Sequence, residues 1–205
     1  MSNERFYKHP ALPFAECRYS ANSGRHYKPH MHKTFSVGAI DHGEVIYQVG
    51  GQTVRLEPGS LALINPEILH SCNPTESSKR SYYMLYLNVD WCSQLQQSLW
   101  QLETFSPVNS ILLEDRSIYQ QFINTMESFM EEDEVMEKEQ ILVDLAKIIF
   151  LKVCKPATIK KVHSLRIEEL KLLLSKNLDA DTPMKQMAVK LQTNPYTLIR
   201  NRKSR

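Results

Sequence analysis

No stretch of this sequence stays apolar for the roughly 18 residues that a membrane span needs, and Met1-Ser2-Asn3-Glu4-Arg5 leads into no apolar targeting segment. A soluble, unexported, cytoplasmic protein is the expectation, with no membrane among its partners. Cys-x-x-Cys is missing too. Cys17, Cys72, Cys92 and Cys154 are widely scattered, which argues against a zinc ribbon or a dithiol redox motif and fits free thiols in a reducing compartment. Net charge is almost absent, at +2, but that small figure hides an asymmetry. From Lys155 onward 12 Lys and Arg stand against 4 Asp and Glu, whereas the first 154 residues hold 13 against 19. A basic tail on an acidic body is the pattern of a chain whose tail alone meets a polyanion, although lysine-rich helix surfaces give the same imbalance.

What is present is an ordinary globular share of apolar residues, 42% of 205, enough for one to two domains. Residues 1–13, with Pro10 and Pro13 and no periodicity, read as an irregular arm. Strands are expected at Phe14–Ser20, Arg25–Lys28, Phe35–Ile40, Glu44–Val49, Gln52–Leu56, Ser60–Ile64 and Tyr82–Val89. The boundaries Asp41-His42-Gly43, Gly50-Gly51, Glu57-Pro58-Gly59 and Asn65-Pro66 are all turn chemistry. Gly50-Gly51 is the sharpest hairpin signal, because both central residues of a primed turn need positive φ. About seven short strands at this spacing predict a small antiparallel barrel or sandwich. Within Glu44–Val49 neither face is purely polar, so this strand is expected to be covered on both sides, with helices outside.

The period then changes. Ile118, Phe122, Met126, Phe129 and Met130 recur at helical steps, predicting a helix over Ser117–Met130; a second over Glu137–Cys154 carries Ile141, Leu145, Ile148 and Ile149, with Leu142 and Val153 at its margin. The acidic run Glu131-Glu132-Asp133-Glu134 joins them into a hairpin, which could pack on its own barrel or pair with a second copy. After Lys155-Pro156 a linker leads to helices over Leu165–Asn177 and Met184–Leu191. A third begins at Asn194-Pro195, a good cap followed by a good first helical residue. A short helix, a tight turn and a second helix in basic surroundings is the helix-turn-helix pattern.

Two motifs carry family resemblances. Pro29-His30-Met31-His32, Gly43, Pro58-Gly59 and Asn65-Pro66-Glu67-Ile68-Leu69-His70 resemble the paired motifs of a cupin barrel. Histidines at i and i+2 of a strand face one side, and a third from another strand completes a facial set with open positions. His30, His32 and His70 could thus hold a divalent transition metal, hydrogen-bond an organic effector, or satisfy loop carbonyls. The glutamate that cupin metal sites place after His-x-His is missing; Ser36 and Val37 stand there. His26 and His42 read as surface residues, and Cys72 as a small buried one.

Lys185-Gln186-Met187-Ala188-Val189-Lys190-Leu191 with Asn194-Pro195-Tyr196-Thr197-Leu198 and Arg200 resembles the first helix-turn-helix of the AraC/XylS-type transcriptional regulators. That resemblance implies a mainly β plus α chain: a cupin-like sensor barrel over 1–113, a helical hairpin over 114–155 that could dimerise, a linker over 156–164, and a DNA-reading segment over 165–205. It implies that Tyr196, Thr197, Arg200 and Asn201 face the major groove, with Lys190 and Lys203 on phosphate. Its partners would be double-stranded DNA, a small-molecule or metal effector and a second copy of the chain; it would not be an enzyme. The family's aromatic two residues after Arg200 is Arg202 here, and the family's second reader would follow a long helix, whereas this sequence stops at Arg205. A reader cut short, with weak specific DNA binding, is the expectation. The competing readings are a metal-dependent cupin enzyme and a metal-responsive regulator, both using His30, His32 and His70.

Overall fold

The structure is a computed structural model describing residues 3–75, 78–100, 102, 104–131 and 135–154. Nine strands and three helices are defined among them. Strands β1 (Asn3–Tyr7), β2 (Ala15–Ser23), β3 (Phe35–His42), β6 (Leu61–Ile64), β8 (Arg80–Leu87) and β9 (Leu112–Leu113) form one sheet in the order β1-β2-β8-β3-β6-β9. Strands β4 (Val45–Val49), β5 (Gln52–Leu56) and β7 (His70–Pro74) form the other, in the order β5-β4-β7. Every pairing is antiparallel. Gly50 and Gly51, at φ 53° and 82°, turn β4 back onto β5 in the conformation their sequence requires.

Alternation along the strands divides the six-stranded sheet into two faces. Phe35, Val37 and Ala39 of β3, with Tyr83, Leu85 and Leu87 of β8, belong to a core shared with the helices. Ile40, Tyr82, Ala62 and Ile64 belong to a second, smaller core with Val45, Tyr47, Val49 and Leu56 from the opposite sheet. The barrel interior lies between the sheets.

Helix α1 (Val89–Trp100), α2 (Arg116–Phe129) and α3 (Val135–Val153) cover the outer face of the large sheet. Asp115 caps α2 by accepting from the Ser117 and Ile118 amides at 3.1 and 3.2 Å. The Tyr119 hydroxyl donates to the Ile40 carbonyl at 2.7 Å, and Phe150 of α3 sits 5.3 Å from Phe35, ring centre to ring centre. The α2–α3 hairpin therefore packs on its own barrel.

Several details differ from the sequence reading. Residues 1–13 hold a strand, β1, registered on β2 from Asn3 opposite Ala21 to Tyr7 opposite Cys17; its edge position needs no alternating apolar pattern. Arg25–Lys28 is not a strand, because the Tyr27 backbone is held instead by the Asn73 side-chain amide, at 2.7 Å to its N–H and 3.0 Å to its carbonyl. Val89, expected to end a strand, instead begins helix α1, because the apolar run of β8 continues into the helix. On α3 the buried stripe is Leu142, Leu145, Ala146, Ile149 and Phe150, rotated one step from the expected one, and Ile141 is exposed. Among the described residues no helix covers the outer side of β4, where Ile46 is half-buried and Gln48 exposed. The expected linker and the helices over 165–205 lie outside the described residues.

Candidate effector cavity and histidine cluster

Backbone pairing brings the two cupin-like motifs together. The amides of His30 and His70 each donate to the other's carbonyl at 2.9 Å, an isolated antiparallel bridge, and the Glu67 amide donates to the His32 carbonyl at 2.7 Å. Glu67 takes a positive φ of 60° to make that turn. The consequence is a histidine cluster: ring centres lie 4.6 Å apart for His30 and His70, and 4.9 Å for each of the other two pairs. One ligand atom from each lies within 4.8 Å of the others.

The tautomers of two rings follow from their partners. His30 Nδ1–H donates to the Lys28 carbonyl and His70 Nδ1–H to the Ile68 carbonyl, both at 2.9 Å. A carbonyl can only accept, so the Nε2 lone pairs are left to act as acceptors or ligands. Burial lowers the His70 pKa to about 4, opposed by the Ile68 carbonyl and reinforced by His32 and His30. Burial, and then the neighbouring His30, lowers His32 as well. Three imidazoles from two chain segments could bind a metal, after drawing in toward the 2.0–2.1 Å nitrogen distances of a zinc site. Ser36, in the place of the cupin glutamate, is fully buried and hydrogen-bonded to Thr34 at 3.0 Å. Burial pushes the Cys72 thiol up to about 11, which Arg80 only partly offsets, so it remains a thiol at neutral pH.

The histidines border a cavity of about 110 Å³ inside the barrel. Its lining mixes apolar Ile40, Ile64 and Met84 with polar Arg18, Arg80, Tyr27, Tyr82 and Tyr86. Arg80 is 2% exposed and donates to the carbonyls of Ser23, Arg25 and Cys72 at 3.2, 2.9 and 3.3 Å. Its guanidinium lies 5.0 Å from the Tyr82 ring centre and 5.7 Å from that of Tyr27. Arg18 Nη2 donates to Glu4 at 2.6 Å and to the Tyr27 hydroxyl at 3.1 Å, and the Tyr27 and Tyr82 hydroxyls meet at 3.0 Å. Burial opposes the Arg18 charge, yet Tyr82, Glu4 and Tyr27 together raise its pKa above the ordinary arginine range. Arg18, His32 and Tyr86 also line an open cleft on the outside, so they mark where the cavity meets solvent.

The sequence reading identified the three histidines and passed over the arginines and tyrosines. A signal existed for Arg18: it lies between Cys17 and Tyr19, which face the helices, so alternation turns a cation inward. Arg80 gave none, because its register depends on strand pairing. His26 and His42 are exposed, as expected of surface residues. Lys190, Tyr196, Thr197, Arg200, Asn201 and Lys203 lie outside the described residues.

No curated protein matches the chain. Among solved structures, apo ToxT from Vibrio cholerae aligns over 100% of this chain and 74% of its own, at 13% identity and a TM-score of 0.50. A cupin 2 conserved barrel domain protein from Salinispora arenicola aligns over 43% of this chain and 77% of its own, at 12% identity and a TM-score of 0.38. A cupin protein from Bacteroides fragilis does so over 43% and 76%, at 19% identity and a TM-score of 0.36. The likeness to ToxT is one of fold. The family model of the AraC-like ligand binding domain matches residues 13–146, which span both sheets apart from β1 and most of the helical layer. With well over half of its length inside that match, the chain belongs to the AraC-like ligand binding domain family.

Proposed function

We propose that this protein is a transcriptional regulator rather than an enzyme: its barrel senses a small effector, and residues 165–205 read double-stranded DNA as part of a homodimer. The observation that carries the reading is the cavity between the sheets, lined by apolar Ile40, Ile64 and Met84 together with convergent polar groups, within a ligand-binding domain match. Effector occupancy would alter how the N-terminal strand and the helical hairpin pack. Both elements touch: Tyr7 of β1 meets Phe129 of α2 edge-on at 5.1 Å, and the buried Lys138 ammonium of α3 lies 4.5 Å from the Tyr7 ring centre. Such a shift would set the freedom of the DNA-reading segments. Arg200 would read guanine or hold phosphate, with Tyr196, Thr197 and Asn201 beside it and Lys190 on the backbone.

A reporter joined to the region upstream of the protein's own gene tests this. Output should change several-fold when the gene is deleted and return when it is restored. Indifference of that region, and of every other promoter in a transcript comparison, would sink the reading.

The histidine cluster favours a second form of the same reading, a metal-responsive regulator. His30, His32 and His70 would hold a divalent transition metal through three neutral imidazoles, and the ion would supply a charge that ties the two motifs together. His70→Ala should then abolish a metal-dependent change in reporter output while leaving the fold intact.

A further inference from the structure

The charge inside the barrel is one-sided. Among the described residues neither aspartate nor glutamate lines the cavity, whereas two guanidiniums do. Arg80 is nearly inaccessible, and among the described residues it meets carbonyl oxygens and phenol faces but no carboxylate. Arg18 has one carboxylate partner, Glu4, which Arg25 also approaches at 3.8 Å. Arg18 Nε is buried without any hydrogen-bond partner. Buried charges in native proteins are nearly always compensated, and a cavity lined by two guanidiniums and no carboxylate points to what the cavity holds.

We propose that the cavity takes a small organic anion, a monocarboxylate with a short apolar body, whose charged end is met by the Arg18 guanidinium in the field of Arg80. The assignment rests on the sensing role given above to the barrel. A carboxylate oxygen accepting from a guanidinium N–H forms a charge-assisted hydrogen bond and supplies the negative charge that the lining lacks. The body then lies against Ile40, Ile64 and Met84. Size limits the choice. An apolar cavity of about 150 Å³ accommodates benzene, so about 110 Å³ suits a short aliphatic acid. Arg18 borders both the cavity and the outer cleft, so the anion passes the guanidinium on its way in.

Titration calorimetry on the whole chain, stripped of metal with a chelator, tests the proposal with butyrate and its neutral isostere butyramide. Butyrate should bind at least tenfold more tightly, Arg18→Gln should erase that preference, and Arg18→Lys should retain part of it. The butyrate-to-butyramide ratio on the unaltered protein carries the test even if Arg18→Gln fails to fold. Equal binding of the two, silence toward every acid from acetate to hexanoate, or butyrate binding that disappears with the metal each overturns the proposal. Silent calorimetry with an intact reporter response overturns the anion and spares the regulator. Butyrate binding with an indifferent reporter does the reverse.

Discussion

The two faces of the six-stranded sheet are built from the same strands and do opposite things. On the helix side, Phe35, Val37, Leu85 and Leu87 meet Phe122, Leu145 and Phe150 in a continuous apolar core. On the barrel side, alternate residues of those strands give Gly38, Met84 and Tyr86, with Arg18 from β2, and a cavity stays between them. The lesson is a division of labour set by strand period. Close packing concentrates stability where apolar side chains interdigitate, while a face that mixes glycine, phenols and guanidiniums leaves room for a ligand.

Three changes would break or sharpen that contrast. Phe150→Ala deletes a fully buried ring of the helix-side core and should cost about 3–5 kcal/mol in urea unfolding. Butyrate binding by the fraction that stays folded should be unaffected; a loss below about 1 kcal/mol would show that the helices are dispensable to the barrel.

Acid should act from the other face. In metal-free protein, unfolded His70 takes up a proton near its ordinary pKa of 6.5, whereas folded His70 resists until about pH 4. The unfolded chain thus binds more protons in that window, so stability is full above pH 6.5 and falls as pH drops toward 4, by up to about 3 kcal/mol. Urea midpoints measured from pH 7.5 to 4.5 should show this slope, and His70→Asn should flatten it. An unchanged slope in the variant would place the acid sensitivity elsewhere.

The smallest effect on stability is expected at Gly38. A Cβ there would come within 2.8 Å of Met84 Sδ, in a flexible side chain that lines the cavity and would have to shift. Gly38→Ala should cost about 1 kcal/mol yet weaken butyrate binding tenfold or more. Large destabilisation with unaltered binding would mean that the two faces are not separable as described.

Much of the fold was legible because its signals are local. Period-two runs bounded by Gly43, Gly50-Gly51 and Pro58-Gly59 announce strands, and the steps of Ile118, Phe122, Met126 and Phe129 announce α2. The failures share a cause. Strand β1 is an edge strand whose apolar residues, Phe6 and Tyr7, are too few for a pattern, and α1 follows β8 with a single residue, Asn88, between them. Asn88 caps α1 by accepting from the Asp90 and Trp91 amides at 2.8 and 3.1 Å, a signal that the apolar continuity from Leu87 to Val89 masked.

The candidate site divides along the same line. His-x-His spacing lets His30 and His32 face one side of an extended segment, which here lies outside the named strands and meets His70 through an isolated bridge, and the turn before His70 marks a second motif. The sequence by itself determined that these histidines exist in pairable motifs, that the front of the chain is strand-rich and that two amphipathic helices follow. Tertiary structure alone decided that the His30 and His70 backbones pair, that Arg80 is buried beside Tyr27 and Tyr82, and that the hairpin lies on its own sheet. The physical reason is range. Periodicity and turn chemistry act within a few residues, whereas the register that brings Arg18 opposite Met84, and leaves its Nε without a partner, is set by strands more than sixty residues apart.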